Sequence, residues 1–175
     1  MATIMLDAGH GGADWGAEYN GRLEKDDNLN LTLAIGEILQ SAGVNVLYTR
    51  TEDVYDLPIE KARIVNESNA DYVVSIHRNS SPYPNQYTGV ESLVYNRYSA
   101  AGEMAANINA QLEKIGFVNQ GVNERKNLVI LRRTRIPAVL VEVGFINTDA
   151  DNYLFDTKFY ETADAIARGI LDTIQ

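Results

Sequence analysis

Cysteine is absent from this chain of 175 residues. That excludes disulfides, thiolate nucleophiles and cysteine-bound zinc, so any transition metal must be held by histidine and carboxylate. Histidine is scarce too: the whole chain carries 2. No apolar run approaches the roughly 18 residues that a membrane helix needs, which argues against membrane insertion. No basic segment and no long apolar stretch precede the first strand, so there is no sign of a signal peptide. Internal repeats, low-complexity tracts and linkers are missing as well. Basic charge is in short supply, with 15 Lys and Arg against 24 Asp and Glu and a formal net charge of -9. Such a chain gains nothing from a phosphate backbone, which argues against nucleic acid as a partner. Anionic membranes and wall polymers would repel it.

What is present is ordinary for one globular domain. Hydrophobic residues make up 45% and charged residues 22%, far from a disordered composition. The length supports one substantial core and leaves little room for two, so residues 1–175 are expected to form a single domain. Short apolar runs at Thr3 to Leu6, Val44 to Tyr48, Tyr72 to Ile76, Val90 to Tyr95, Leu128 to Leu131 and Ala138 to Val143 read as strands. Between them, helical spacing marks a helix capped by Asp26 or Asp27 that ends at Gly43. Others run from about Pro58 to Glu67, Ala100 to Ile115 and Lys158 to Ile174. Pro58 suits the first turn of its helix. This alternation predicts an α/β fold: a mostly parallel, twisted sheet of about six strands with helices on both faces.

The two histidines sit in matching places. His10 lies in Leu6-Asp7-Ala8-Gly9-His10-Gly11-Gly12, and His77 in Val73-Val74-Ser75-Ile76-His77-Arg78-Asn79, each just after an apolar run. Glu142 stands near the end of Ala138-Val139-Leu140-Val141-Glu142-Val143-Gly144-Phe145. Sites in open α/β sheets form at the carboxyl ends of strands, so all three are expected on one rim. A histidine after a strand is often only a hydrogen-bonded structural residue, but two on one rim suggest a shared metal. Catalytic zinc commonly takes three protein ligands, and two histidines with one glutamate is a known set. Asp7, Glu24, Asp26 and Asp27 are the acids available as the third ligand. Glu24 is the best placed, because it ends the glycine-rich loop that can fold back over His10. Glu142 is then left as general base, in an apolar strand where desolvation raises a carboxyl pKa towards the range useful for proton transfer. Gly9, Gly11 and Gly12 do not make a P-loop, since no lysine followed by serine or threonine comes after them.

Several stretches together carry a resemblance: the two histidine motifs, Leu23-Glu24-Lys25, Tyr48-Thr49-Arg50, and Pro137 through Phe145 around Glu142. In this order they resemble the zinc-dependent N-acetylmuramoyl-L-alanine amidases of the amidase-3 family, which includes bacterial autolysins, sporulation amidases and phage endolysins. The resemblance implies Zn2+ on His10, Glu24 and His77, and Glu142 as the catalytic glutamate. It implies peptidoglycan as the substrate, cut at the amide between N-acetylmuramic acid and L-alanine of the stem peptide. Cleavage within the stem by a zinc peptidase, or wall binding without turnover, are the competing expectations. A chain acting on the cell wall without a signal peptide reads as a secreted-domain fragment or as an endolysin released on lysis, with room for a wall-binding domain elsewhere in a longer chain. Arg78 departs from the family's frequent small residue, and the helical insertion that blocks the site in some members is not evident between Gly89 and Leu128.

Other residues invite sharper readings. Arg125, Lys126, Arg132, Arg133 and Arg135 form the one basic cluster, either a solvated face or a site for stem-peptide carboxylates. Trp15, Tyr19, Tyr83 and Tyr87 are loop aromatics expected near the rim. Glu24 and Asp7 are candidate partners for Arg50, whose partner the sequence leaves open, and Asn79 is a candidate to orient a metal ligand.

Overall fold

A computed structural model describes residues 1–175. The chain opens with β1 (Thr3–Ala8), a short antiparallel hairpin of β2 (Glu18–Tyr19) and β3 (Arg22–Leu23), then α1 (Glu24–Ser41) and β4 (Asn45–Tyr48). It continues through α2 (Pro58–Glu67), β5 (Tyr72–Asn79), β6 (Val90–Val94), α3 (Ala100–Lys114) and β7 (Asn119–Glu124). The last elements are α4 (Val129–Arg132), β8 (Ala138–Phe145), α5 (Asp149–Thr157) and α6 (Phe159–Ile174). Six strands form one sheet in the order β4-β1-β5-β8-β6-β7. The pairs β1·β4, β1·β5, β5·β8 and β6·β7 are parallel, and β6 runs antiparallel to β8. The expected mostly parallel α/β sheet is therefore what the chain builds. No helix is long and apolar enough to cross a membrane.

Side chains alternate across each strand, and the two faces bury unequal cores. Ile4, Leu6, Val74, Ile76, Val139 and Val141 face α1, α3 and α6 in a cluster of 26 buried residues. Met5, Val73, Ala138 and Leu140 face α2 and α4 in a cluster of only 9. His77 and Glu142 continue the second face, two positions beyond Ser75 and Leu140 along β5 and β8. The site thus occupies the face with the thinner helical cover, at the end of the strands where that cover runs out.

A buried ion pair lies one step deeper. Lys61 Nζ of α2 donates to Asp7 Oδ1 at 2.9 Å and to the Ala8 carbonyl at 2.6 Å. Thr49 and Ser75 donate their hydroxyls to the same carboxylate. Burial alone would push the Asp7 carboxyl up, but Lys61 and the two hydroxyls hold it below its ordinary value. Losing one member of such a pair typically costs about 3–5 kcal/mol, because the other charge is left buried and alone. Asp7 is therefore engaged beneath the site and leaves the metal to others.

The structure departs from the sequence expectations in identifiable places. Leu128 to Leu131, expected as a strand, instead caps and forms most of the short helix α4, and the sixth strand is β7. An apolar run of four has no period that separates strand from helix. β7 escapes notice because Asn119–Glu124 is a polar, partly exposed edge strand. α1 starts at Glu24 rather than after Asp26 or Asp27, with Leu23 at its N-cap and no side-chain cap. Its acids Glu24, Asp26 and Asp27 fill the first turn instead, where they complement the helix dipole. α5 was not expected at all; among its nine residues only Asp151 and Phe155 are buried, too few to show an apolar stripe.

Candidate active site

His10 follows β1 in a backbone conformation uncommon for a side-chain-bearing residue, with φ at 61°. Such conformations persist only where the surroundings fix them, and they cluster at functional sites. Here the next residue closes a small bridge, with Gly11 and Asp14 exchanging backbone hydrogen bonds of 2.9 and 3.0 Å. The Asp14 carboxylate lies 2.8 Å from His10 Nδ1. Asp14 holds the ring at Nδ1, so Nε2 faces inward, 3.2 Å from Glu24 Oε2. His77 arrives from the adjacent strand, with its Nδ1 3.1 Å from Glu24 Oε1. Ligand atoms of His10, Glu24 and His77 all lie within 4.8 Å of one another. The three residues could hold a metal ion.

Glu24 is fixed from several directions. Its Oε2 accepts from the Ala17 backbone N–H at 2.8 Å, and its Oε1 from the Arg78 N–H at 3.1 Å and Asn28 Nδ2 at 3.3 Å. Burial opposes its charge, yet the two histidines drive the carboxyl well below the ordinary carboxylate range. Burial likewise works against the charge on His10, but Glu24 and Asp14 outweigh it and hold its pKa up at about 9. The cluster therefore favours positive charge at its centre.

Two glycines make room for the rings. A Cβ on Gly9 would fall 2.3 Å from the His77 ring, and one on Gly16 would fall 2.5 Å from Glu24 Oε2 and 2.6 Å from the His10 ring. The glycine-rich loop is thus a cradle shaped to the three donors. Two nitrogens and one carboxylate oxygen, converging without sulfur, fit a His2Glu zinc set.

Glu142 on β8 is in register with His77 on β5 on one side and with Glu91 on β6 on the other. Its Oε2 is out of solvent and has no hydrogen-bond partner. Burial, first of all, raises its pKa to about 7, with Glu24 and Glu91 adding to the effect and His77 opposing it. An unpaired buried carboxylate oxygen is costly, and a native structure rarely tolerates one without a use.

Other expected contacts fall elsewhere. Arg50 pairs with neither Glu24 nor Asp7; its guanidinium donates to the backbone carbonyls of Ala8, Gly9, Lys25 and Glu52 and ties the loop down. The Asn79 side chain accepts from the next backbone N–H, of Ser80, and touches no ligand of the cluster. Asn28, which sequence reading missed, takes that place by bridging Glu24 and the Gly9 carbonyl. Its position four residues after Glu24 on α1 was the available signal. Arg78 sends its side chain away from the cluster, donating to Asp27 and Asn152 at 2.6 and 2.7 Å with its guanidinium over the Phe155 ring. It clamps the start of α1 against β5 and α5.

The basic residues divide. Arg132, Arg133 and Arg135 border hollows along α2 and at the start of β8, neither of them lined by a histidine. Arg125 instead reaches to 3.9 Å from Glu91, beside Glu142. Trp15, Tyr83 and Tyr87 are exposed, and Tyr19 hydrogen-bonds Asp149.

Two imidazoles and two carboxylates gathered at the strand ends of a largely parallel sheet define a hydrolase-like α/β centre with room for a metal. The chain belongs to the N-acetylmuramoyl-L-alanine amidase family (Amidase_3), whose pattern matches residues 4–172. It is 35% identical over 174 residues to the sporulation-specific N-acetylmuramoyl-L-alanine amidase of Bacillus subtilis (strain 168), covering 97% of this chain and 65% of that protein. It is 34% identical over 181 residues to the endolysin of Bacillus phage SPP1, covering 98% of this chain and 65% of the endolysin. The chain thus spans just under two thirds of the length of these two relatives. Its fold is similar to the crystal structure of an N-acetylmuramoyl-L-alanine amidase from Clostridium difficile 630, with a TM-score of 0.91 and 31% identity, over 98% of this chain and 95% of that one.

Proposed function

We propose that residues 1–175 act as one catalytic domain that hydrolyses peptidoglycan at the amide between the lactyl group of N-acetylmuramic acid and L-alanine of the stem peptide. In this reading His10, Glu24 and His77 hold a zinc ion, and Glu142 carries the proton. The observation that supports it most is the Glu142 oxygen, buried, unpartnered and in register with a histidine of the cluster. Family membership and amidase and endolysin relatives support the choice of bond.

When bound, zinc would polarise the scissile carbonyl and make water acidic enough to attack it near neutral pH. The remaining work belongs to side chains. Asp14 holds the His10 ring, and Asn28 with the Ala17 and Arg78 N–H groups holds the Glu24 carboxylate, so the donors need little reorganisation. Glu142 takes a proton from the attacking water and returns it to the alanine nitrogen as the C–N bond breaks. Burial raises the Glu142 carboxyl towards the range where one group can both accept and return a proton.

The test is the identity of the product. Purified cell walls digested by the zinc-loaded protein should release peptides with a new N-terminal L-alanine and leave free lactyl groups on the glycan, as read by mass spectrometry. Peptides that begin at any later stem residue would replace this reading with that of a stem peptidase. Binding to walls without release would replace it with that of a binding module.

A further inference from the structure

Beside the histidine pair, a cleft of about 260 Å³ descends between the N-terminus of α2 and the segment entering α4. Pro58, Leu128, Val129, Ile130 and Leu140 supply its apolar lining. Lys61 and Asp7 also border it, but they satisfy each other and the Ala8 carbonyl, so the accessible wall is mostly carbon. Gly9, His10 and His77 line it as well, which makes it continuous with the candidate reaction centre. Asp14 and Asp56 add negative charge to the lining, Lys61 is already bound to Asp7, and His10 is held between Asp14 and Glu24. An apolar group can settle here, whereas a carboxylate would meet like charge and no free donor cation.

We propose that this cleft is the subsite for a short uncharged alkyl branch next to the scissile amide, and that it is roomier than a methyl requires. The proposal rests on the amidase reading above. The amide to be cut carries such a branch on each side: the lactyl methyl next to the carbonyl and the alanine methyl next to the nitrogen. The carboxylates of the stem must point elsewhere. The cleft's volume of about 260 Å³ is shared with the space beside the histidines, and at about 30 Å³ for a water's share of liquid an ion, a water and the amide still leave space for more than one methylene. Longer branches should therefore improve the substrate rather than clash.

The test uses the zinc-loaded protein and two series of soluble muramoyl peptides. One series replaces alanine by glycine, 2-aminobutyrate and norvaline; the other replaces the lactyl group by glycolyl and 2-hydroxybutyryl groups. The expected result is a rise in kcat/KM of about fourfold per methylene along one series, with the other nearly flat. Whichever series rises identifies the branch that enters. Val129 is half-buried at the start of α4. Val129→Trp should flatten the rising series without changing zinc content, and Val129→Ala should extend the rise to longer branches. The proposal is overturned if the wild type cleaves these peptides with both series flat or falling, or if Val129→Trp keeps the slope. Cleavage of no member of either series would overturn the amidase reading itself, and the cleft assignment with it.

Discussion

Replacing Glu142 by glutamine should lower wall hydrolysis about 10³-fold while the protein still binds one equivalent of zinc. The substitution is nearly isosteric and removes only the ability to take up and release a proton. Glu142 is not among the residues whose ligand atoms converge on the cluster, so the metal site should survive. Stability should hold or improve, because the change replaces a carboxylate whose charge burial disfavours by a neutral amide of the same shape. Steady-state rates, zinc content by atomic absorption and denaturant melting of the same preparation check all three expectations. Loss of zinc along with activity would move Glu142 into the ligand set, and near-normal rates would remove it from the chemistry.

Gly9→Ala should have an effect almost as large by a different route. Gly9 does not adopt a positive φ, so its backbone conformation does not exclude alanine. What excludes alanine is the His77 ring, 2.3 Å from where the new methyl carbon would sit. The Gly9 backbone is held by its N–H on the Ile76 carbonyl and by Asn28 and Arg50 on its own carbonyl, so the ring has to give way. Displacing a metal-binding imidazole should weaken zinc binding by about 100-fold or more, since even partners outside the ligand set are worth 10–100-fold. Competition against a chromophoric chelator reads this directly. The far-UV circular dichroism should match wild type. Unchanged zinc affinity in a folded Gly9→Ala protein would mean that His77 does not hold the ion in the position found here.

The four residues at the centre were legible in the sequence because each is marked by contrast with its neighbours. His10 and His77 end apolar runs in a chain with no other histidine, Glu142 interrupts the apolar run of β8, and Glu24 closes a glycine-rich loop. Their convergence follows from parallel topology, which brings the ends of β1, β5 and β8 to one rim. The supporting contacts were much less legible. Arg50 spends its guanidinium on four backbone carbonyls, and a sequence gives no sign of where carbonyls point. Arg78 looked like a departure within the site, but its side chain belongs to a packing network with Asp27, Asn152 and Phe155. The basic cluster looked continuous along the chain, whereas the turn through α4 separates Arg125 from Arg132, Arg133 and Arg135. β7 went unread because a polar edge strand lacks apolar alternation, and Leu128 to Leu131 read as a strand rather than as α4 because a four-residue apolar run has no readable period.

The most direct measurement of the metal assignment is anomalous diffraction at the zinc edge from crystals of the zinc-loaded protein. One anomalous peak is expected, bonded to His10, Glu24 and His77, with the Glu142 carboxylate nearby but not bonded. A zinc ion held by any other set of residues, or full wall hydrolysis by protein from which a chelator has removed all zinc, would contradict it.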